Sequence, residues 1–96
     1  MQFLVMAYDG TDANALKRRM SVREAHLLGA AELKKAGKLI AGGAILDEDE
    51  KMIGSTLYVE FKSRAELDCW LSNDPYVTGD VWQNITVQPI RLAVVS

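Results

Sequence analysis

The chain has 96 residues, of which 49% are hydrophobic and 25% are charged, and this composition indicates one small globular domain rather than a disordered segment. Its formal charge of −2 comes from interspersed signs, which argues against nucleic acid as a partner. The lone cysteine, Cys69, excludes an internal disulfide and leaves no basis for a metal site. No apolar run approaches the ~20 residues that cross a bilayer. We therefore expect a single cytoplasmic domain over residues 1–96 that binds neither nucleic acid nor membrane.

The first third of the chain predicts a strand followed by a long helix. Residues 2–8 form an apolar run that is typical of a buried strand and lacks the charged start of a signal peptide. A turn follows, in which Thr11 or Asp12 is the candidate helix cap. We expect a first helical turn or two over Ala13–Arg19 and the main helix over about Met20–Ala36.

Two strands and an acidic turn come next. Leu39–Leu46 predicts a strand whose glycine pair, Gly42-Gly43, is typical of a bulge or of close approach by a backbone or a ligand. Asp47–Lys51 predicts a solvated hairpin turn rather than a metal-binding loop. Met52–Phe61 predicts the third strand.

The last part of the chain predicts a second helix and a final strand. Ser63-Arg64-Ala65-Glu66 matches a capping box, which begins a helix that Pro75 stops. Ile85–Val95 predicts one long strand, with Pro89 at an edge position or a bulge. The order βαββαβ indicates an α+β, ferredoxin-like fold of the split-βαβ type, with an antiparallel sheet and both helices on one face.

Both faces of the predicted sheet need cover. The first strand is apolar or aromatic on each side, with Phe3, Val5 and Ala7 on one face and Leu4, Met6 and Tyr8 on the other. The helices cover only one face, so we expect a second copy of the chain to cover the other and form a dimeric α/β barrel.

The only histidine falls on the apolar face of the first helix. This face is formed by Val22, His26, Gly29 and Leu33, and a buried imidazole there needs a polar partner. The candidate partner is Asp74, at the end of the second helix. Together the two side chains form a candidate acid/base dyad, in which His26 moves a proton and Asp74 orients the ring.

Two arginines flank this candidate dyad. For His26, Asp74 and Ser55 there is also a simpler, structural explanation. Arg19 and Arg23 lie at the margin of the same helix face, where they could bind a carboxylate or a phenolate. A lone histidine on an apolar face is more often a hydrogen-bonded core residue than a catalyst. Asp74 before a proline is also typical of a turn, and neighbouring backbone could satisfy Ser55, a polar residue on an otherwise apolar strand face.

Five short motifs occur along the chain: Arg23-Glu-Ala-His26-Leu27, Ala36-Gly37, Gly42-Gly43, Gly54-Ser55 and Asp74-Pro75-Tyr76. In this order and spacing they resemble the YciI-like (YCII-related) family, over essentially the whole chain. The resemblance implies a ferredoxin-like protein of the dimeric α+β barrel superfamily.

The same resemblance implies a site built on a histidine–aspartate pair, here His26 and Asp74, with Arg23, Ser55 and Tyr76 in or beside the pocket. A related enzyme removes chloride from a chlorinated hydroxyquinol. The structurally similar muconolactone isomerases move a proton on a small ring.

The function that we expect is cofactor-free proton transfer on a compact anionic or aromatic metabolite, by isomerisation or by elimination such as dehydrochlorination. His26 acts as acid or base, Asp74 orients it, and Arg23, with Arg19, binds the anion. Two alternatives stay open. One is a non-catalytic small-ligand-binding or accessory dimer, in which His26 and Asp74 form a structural hydrogen bond. The other is a cofactor-independent monooxygenase of the same barrel type.

Overall fold

The computed structural model describes residues 1–94, which form a four-stranded antiparallel sheet and three helices. In chain order the elements are β1 (Gln2–Asp9), α1 (Ala15–Lys35), β2 (Leu39–Leu46), β3 (Met52–Glu60), α2 (Arg64–Asn73), α3 (Pro75–Thr78) and β4 (Trp82–Ile90). The strand order is β2-β3-β1-β4, so β1 and β3 are central. This is the split-βαβ arrangement, and the ferredoxin-like α+β prediction is confirmed. None of the helices within residues 1–94 has the length and apolar character needed to span a bilayer.

The core lies between the helices and one face of the sheet. Alternate residues of the two central strands form this face and are at most 4% exposed: Phe3, Val5, Ala7, Leu57 and Val59. On the opposite face of β1, Met6 is 37% exposed and Tyr8 is 42% exposed. The alternation along β1 is therefore as predicted, and one sheet face has little cover within a single chain.

α1 is one continuous helix, Ala15–Lys35, and it includes both the first turns predicted over Ala13–Arg19 and the main helix predicted over about Met20–Ala36. The predicted caps, Thr11 and Asp12, are wrong: Asn14 is the N-cap, and its side chain makes no capping hydrogen bond. The reason lies in Arg18, whose Nη1 and Nη2 donate to the Asp12 carboxylate at 3.0 and 2.9 Å. The same carboxylate accepts from Asn14 N at 3.2 Å, so it contacts Arg18 and the N-cap residue rather than the N–H groups of the first helical turn.

The residue pairing of β2 with β3 is irregular on either side of the glycine pair. The register with β3 shifts between Leu39 and Ala41, which places a bulge at Ile40, and again between Ile45 and Leu46, but not at Gly42-Gly43. A Cβ atom on Gly42 would lie 3.2 Å from the backbone oxygen of Thr56 and 2.7 Å from Leu57 Cδ2, so a neighbouring backbone does approach closely at this position, together with a side chain.

β4 begins earlier and ends earlier than the predicted strand, Ile85–Val95. It starts at Trp82, because it follows β1 back to Asp9, and it ends at Ile90. Residues 91–94 have no regular structure, and the predicted end of the strand at residue 95 lies outside the described residues. Pro89 lies in an edge strand, as predicted.

The junction after α2 contains a helix that the sequence patterns do not predict. α2 begins as its capping box predicts, with Ser63 Oγ accepting a hydrogen bond from Glu66 N at 3.2 Å. Pro75 ends α2 and also begins α3, for which Asp74 is the N-cap through a 2.9 Å bond from Tyr76 N. α3 packs on α1, and this contact brings the Asp74 carboxylate to the helix that carries the histidine.

Candidate functional site

His26 and Asp74 are hydrogen-bonded although 48 residues separate them in the chain. His26 Nδ1 lies 2.9 Å from Asp74 Oδ2 and 3.1 Å from Oδ1, and both side chains are buried. A carboxylate only accepts hydrogen bonds, so Nδ1 carries the proton in this contact. In the neutral ring Nε2 then has a free lone pair, and His26 is held in the tautomer that can accept a proton there.

Two aromatic rings hold the plane of the imidazole. Tyr76 stacks on His26 at a centroid distance of 3.9 Å and an angle of 13°, and Trp82 contacts it edge-on at 5.5 Å. Within residues 1–94, Arg19 Nε is the only side-chain nitrogen or oxygen that is both sealed from solvent and without a partner. His26 Nε2, which has no hydrogen-bond partner among these residues, therefore remains accessible.

A pocket of about 330 Å³ lies beside His26, between α1 and β2, and we call it the α1–β2 pocket. Its polar wall consists of Arg19, Arg23, His26, Ser55 and Tyr76. Its apolar wall consists of Leu27, Ala30, Leu39 and Leu57, together with residues 42–44 of β2. The volume is at the small end of the range for ligand sites and suits a single ring or a short acid. A larger hollow of about 620 Å³ beside Met1 and Ile90 contains none of these polar side chains.

The two arginines of the polar wall differ in their partners. Arg19 is 3% exposed, and its Nη1 donates to Asp9 Oδ1 and Oδ2 at 2.9 and 3.1 Å. Arg23 is half-buried and makes no ion pair or hydrogen bond with residues 1–94. The charge of Arg19 is thus neutralised by Asp9, whereas that of Arg23 is available to an anion in the pocket.

Burial changes the acidity of two groups around the pocket. It raises the pKa of Asp9 above its usual 3.8, although the neighbouring Arg19 opposes this effect. It also raises the pKa of Tyr76 above 10.0, against the attraction of Arg19 and Arg23 for the phenolate. The Tyr76 phenol therefore keeps its proton near neutral pH and can serve as a hydrogen-bonding group in the pocket wall.

The structure brings all six predicted site residues together. His26, Arg19, Arg23, Ser55 and Tyr76 line the pocket, whereas Asp74 lies behind His26 and does not line it. Residues 1–94 contain no group of three His, Cys, Asp or Glu side chains placed to hold a metal ion.

Sequence reasoning missed two residues that support this site. Asp9 holds Arg19, and Trp82 Nε1 donates to Ser55 Oγ at 3.2 Å. Asp9 begins an Asp-Gly sequence that is typical of a turn, which hides its role at the end of a buried strand. Trp82 precedes the predicted final strand, and its large ring was the available signal that β4 begins there.

The fold and the side chains around the pocket define a class of small ferredoxin-like α+β proteins with a hydrogen-bonded histidine and aspartate beside one cavity. The family model of the YCII-related domain matches residues 1–91 of this chain. Protein YciI from Escherichia coli is 32% identical over 97 residues, which cover 95% of this chain and 97% of that protein. The chain belongs to the YCII-related family, and the resemblance predicted from its motifs is confirmed.

The solved structures that are similar to this chain include a dehydrochlorinase and a protein of unknown function. The 5-chloro-2-hydroxyhydroquinone dehydrochlorinase from Burkholderia phenoliruptrix, in complex with 2,5-dihydroxybenzoquinone, has a TM-score of 0.84 and 28% identity, covering 97% of this chain and 96% of that chain. A dimeric ferredoxin-like protein of unknown function from Jannaschia sp. has a TM-score of 0.52 and 14% identity, covering 95% and 98%. The second likeness shows the fold alone.

Proposed function

We propose that this chain is a cofactor-free enzyme that transfers a proton on a small, anionic, oxygenated ring, by elimination or isomerisation. The observation that carries the proposal is the 2.9 Å contact of His26 Nδ1 with Asp74 Oδ2, which leaves Nε2 without a hydrogen-bond partner among residues 1–94, on a side chain that lines the α1–β2 pocket. The likeness to a dehydrochlorinase at 28% identity supports loss of HCl as the first reaction to test.

In this proposal His26 Nε2 accepts a proton from the bound ring compound. In an elimination from an aromatic ring, His26 first moves a hydroxyl proton to the carbon that carries chlorine, which gives the keto tautomer. His26 then accepts a second hydroxyl proton, whose electron pair forms a C=O bond while the ring electrons shift and chloride leaves with the electrons of the C–Cl bond, so that the net loss is HCl. Asp74 stabilises the imidazolium that forms, and Arg23 pairs with an anionic oxygen of the ring. General acid–base catalysis of this kind contributes about 10²–10⁴-fold in rate.

The experiment is the rate of chloride release from 5-chloro-2-hydroxyhydroquinone. We expect His26→Gln and Asp74→Asn each to lower the rate at least about 10²-fold, because one removes the base and the other its orienting carboxylate. Asp12→Asn is the matched control, since this aspartate contacts Arg18 outside the pocket. If both site variants release chloride at the wild-type rate, the catalytic role of His26 and Asp74 is wrong. If the wild-type protein releases no chloride, this compound is not its substrate. Dioxygen uptake during turnover would identify an oxidation instead.

A second candidate function is a non-catalytic small-ligand-binding or accessory protein. It is favoured by the double role of Asp74, which bonds His26 of α1 and also caps α3 through Tyr76 N. For a purely structural pair, Asp74→Asn lowers the free energy of unfolding by about 1–3 kcal/mol. For a catalytic pair the change is small, or stability even rises. Urea unfolding of the same variants, beside the chloride assay, distinguishes the two functions.

We also propose that the chain forms a homodimer through the open face of its sheet, as a dimeric α/β barrel. Met6 and Tyr8 are exposed on this face, beside the half-buried Leu4 and Tyr58. We expect light scattering to give about twice the chain mass of 10.6 kDa. Met6→Glu should yield a monomer, whereas Leu28→Glu, on the exposed side of α1, should not. A monomeric wild-type protein contradicts this assembly.

A further inference from the structure

We propose that Ser55 is a hydrogen-bond donor of fixed polarity in the α1–β2 pocket and that it makes the pocket bind a ring at the quinone oxidation level, which is the product level of the proposed elimination, more tightly than the corresponding hydroquinone. The inference rests on the ligand class of the proposed function. It does not depend on proton transfer by His26.

The polarity of Ser55 follows from its two partners. A serine hydroxyl has one proton to donate and two lone pairs with which to accept. Arg19 Nη2 donates to Ser55 Oγ at 2.8 Å, and Trp82 Nε1 donates to the same atom at 3.2 Å. Guanidinium and indole N–H groups only donate, so neither partner can receive the serine proton. Both lone pairs are used, and the hydroxyl has only its proton left to offer.

Ser55 is buried, with only 3% of its surface exposed, and yet its hydroxyl proton has no acceptor among residues 1–94. Buried donors normally find a partner, and Ser55 is part of the pocket wall. A carbonyl or phenolate oxygen of a ligand satisfies the proton directly. A ligand hydroxyl can also accept the proton, but it is a weaker acceptor, and when it points its own proton at Ser55 the hydrogen bond is lost.

The two partners of Ser55 are themselves held in place. Arg19 is fixed by the carboxylate of Asp9 through Nη1, at 2.9 and 3.1 Å. Trp82 is 4% exposed and packs edge-on against His26 and Tyr76, with centroid distances of 5.5 and 5.3 Å. The serine hydroxyl therefore cannot reverse its polarity by a rearrangement of either neighbour.

The chemistry of the pocket wall extends the preference beyond one atom. Arg23 also presents only N–H donors, and it has no acceptor among the described residues. A quinone presents carbonyl oxygens, which only accept, where a hydroquinone presents hydroxyl groups. His26 Nε2 and the Tyr76 hydroxyl can also accept a proton, so it is the part of the wall formed by Ser55 and Arg23 that matches the oxidised ring better than the reduced one.

The test measures the affinity of two probes that share one carbon and oxygen skeleton. They are 2,5-dihydroxybenzoquinone and its two-electron-reduced form, 1,2,4,5-tetrahydroxybenzene, titrated calorimetrically without oxygen. In the wild-type protein we expect the quinone to bind at least tenfold more tightly. Ser55→Ala removes the donor and should reduce this preference at least fivefold.

Trp82→Phe provides the sharper variant, because Ser55 stays in place. Loss of the indole N–H returns one lone pair to Ser55 Oγ, which can then accept a proton from the reduced probe. We expect the preference for the quinone to fall, while Ser55→Thr, which keeps the hydroxyl, retains it. The wild-type protein and all three variants contain Arg23. Its attraction for an anionic probe therefore cancels when the quinone-to-hydroquinone affinity ratio of one protein is compared with that of another.

A merely structural role for Ser55 and Trp82 would lower the affinity for both probes by the same factor. An unchanged preference in Ser55→Ala overturns the proposal, as does a wild-type protein that binds neither probe or favours the reduced one. If Trp82→Phe does not fold, the comparison of Ser55→Ala with Ser55→Thr decides the question. Failure of the proposed proton transfer has a different signature: His26→Gln then releases chloride normally while the probe preference stays intact.

Discussion

Arg19 and Asp9 form an ion pair in which each side chain is only 3% exposed, with Arg19 Nη1 lying 2.9 Å from Asp9 Oδ1. The pair joins α1 to the last residue of β1. Arg19 is part of the polar wall of the α1–β2 pocket, and Asp9 lies outside the pocket. Loss of either partner leaves the other charge buried without compensation, which is far more costly than loss of a surface pair. The ion pair therefore holds Arg19 against Ser55 and also removes Arg19 from competition for anions.

We predict that Asp9→Asn lowers the free energy of unfolding by about 3–5 kcal/mol, because the Arg19 guanidinium is then buried without its carboxylate. Urea unfolding measures the change. Asp68→Asn is the matched control, since Asp68 pairs with Arg64 on an exposed helix surface where such pairs contribute less than about 1 kcal/mol. Similar small losses in both variants would show that the buried pair has no special weight.

Tyr76 predicts a loss of stability in alkali. Its pKa is raised above 10.0 in the folded chain, so the folded state keeps the phenol proton at pH values where the unfolded state has released it. Fewer protons bound to the unfolded state mean that the free energy of unfolding falls as the pH rises above about 10. Tyr76→Phe should flatten this fall, when each protein is compared with its own stability at pH 7. An identical alkaline slope in the variant contradicts the assignment.

Local sequence patterns were enough to predict the fold and the position of the histidine. The alternation along β1 and the Val22, His26 and Leu33 positions on α1 are short-range periodicities, which depend on neighbouring residues only. The capping box at Ser63 is local in the same way. Boundaries were less predictable, since the Asp12 carboxylate that suits a cap is used by Arg18 instead.

The side-chain contacts of the site lie outside the reach of periodicity. His26 and Asp74 are 48 residues apart, so local patterns offered Asp74 only as a candidate partner, and the family motifs supported the pairing. α3 has four residues, too few for a helical pattern, and depends on the Asp74 cap and on packing against α1. The contact of Trp82 with Ser55 likewise arises from the sheet register, which sets β4 beside β1 and β3 beyond it.

Two glycines should respond oppositely to alanine. Gly29 lies inside α1 with open space where a Cβ atom would lie, so Gly29→Ala should stabilise the protein by about 0.5–1 kcal/mol. Gly54 lies in β3, where a Cβ atom would collide with the backbone oxygen of Ala7 in β1. Gly54→Ala should therefore lower the melting temperature, whereas Gly29→Ala should raise it. An unchanged or raised melting temperature in Gly54→Ala would contradict the close approach of the two central strands.

Arg23 predicts a separation of ligand affinity from stability. It has no ion-pair or hydrogen-bond partner within residues 1–94, so Arg23→Gln should leave the free energy of unfolding nearly unchanged. Its charge lies at the pocket, and hydrogen bonds to charged groups contribute about 1.5–3 kcal/mol, which corresponds to roughly a 10–100-fold loss of affinity for an anionic ring such as ionised 2,5-dihydroxybenzoquinone. Arg18→Gln is the matched control, because Arg18 contacts Asp12 and Asp80 outside the pocket.

Added salt should weaken wild-type binding more than binding to Arg23→Gln, since screening acts on a charge that the variant lacks. Equal losses of affinity in the two variants would mean that Arg23 contributes only to the overall charge of the chain.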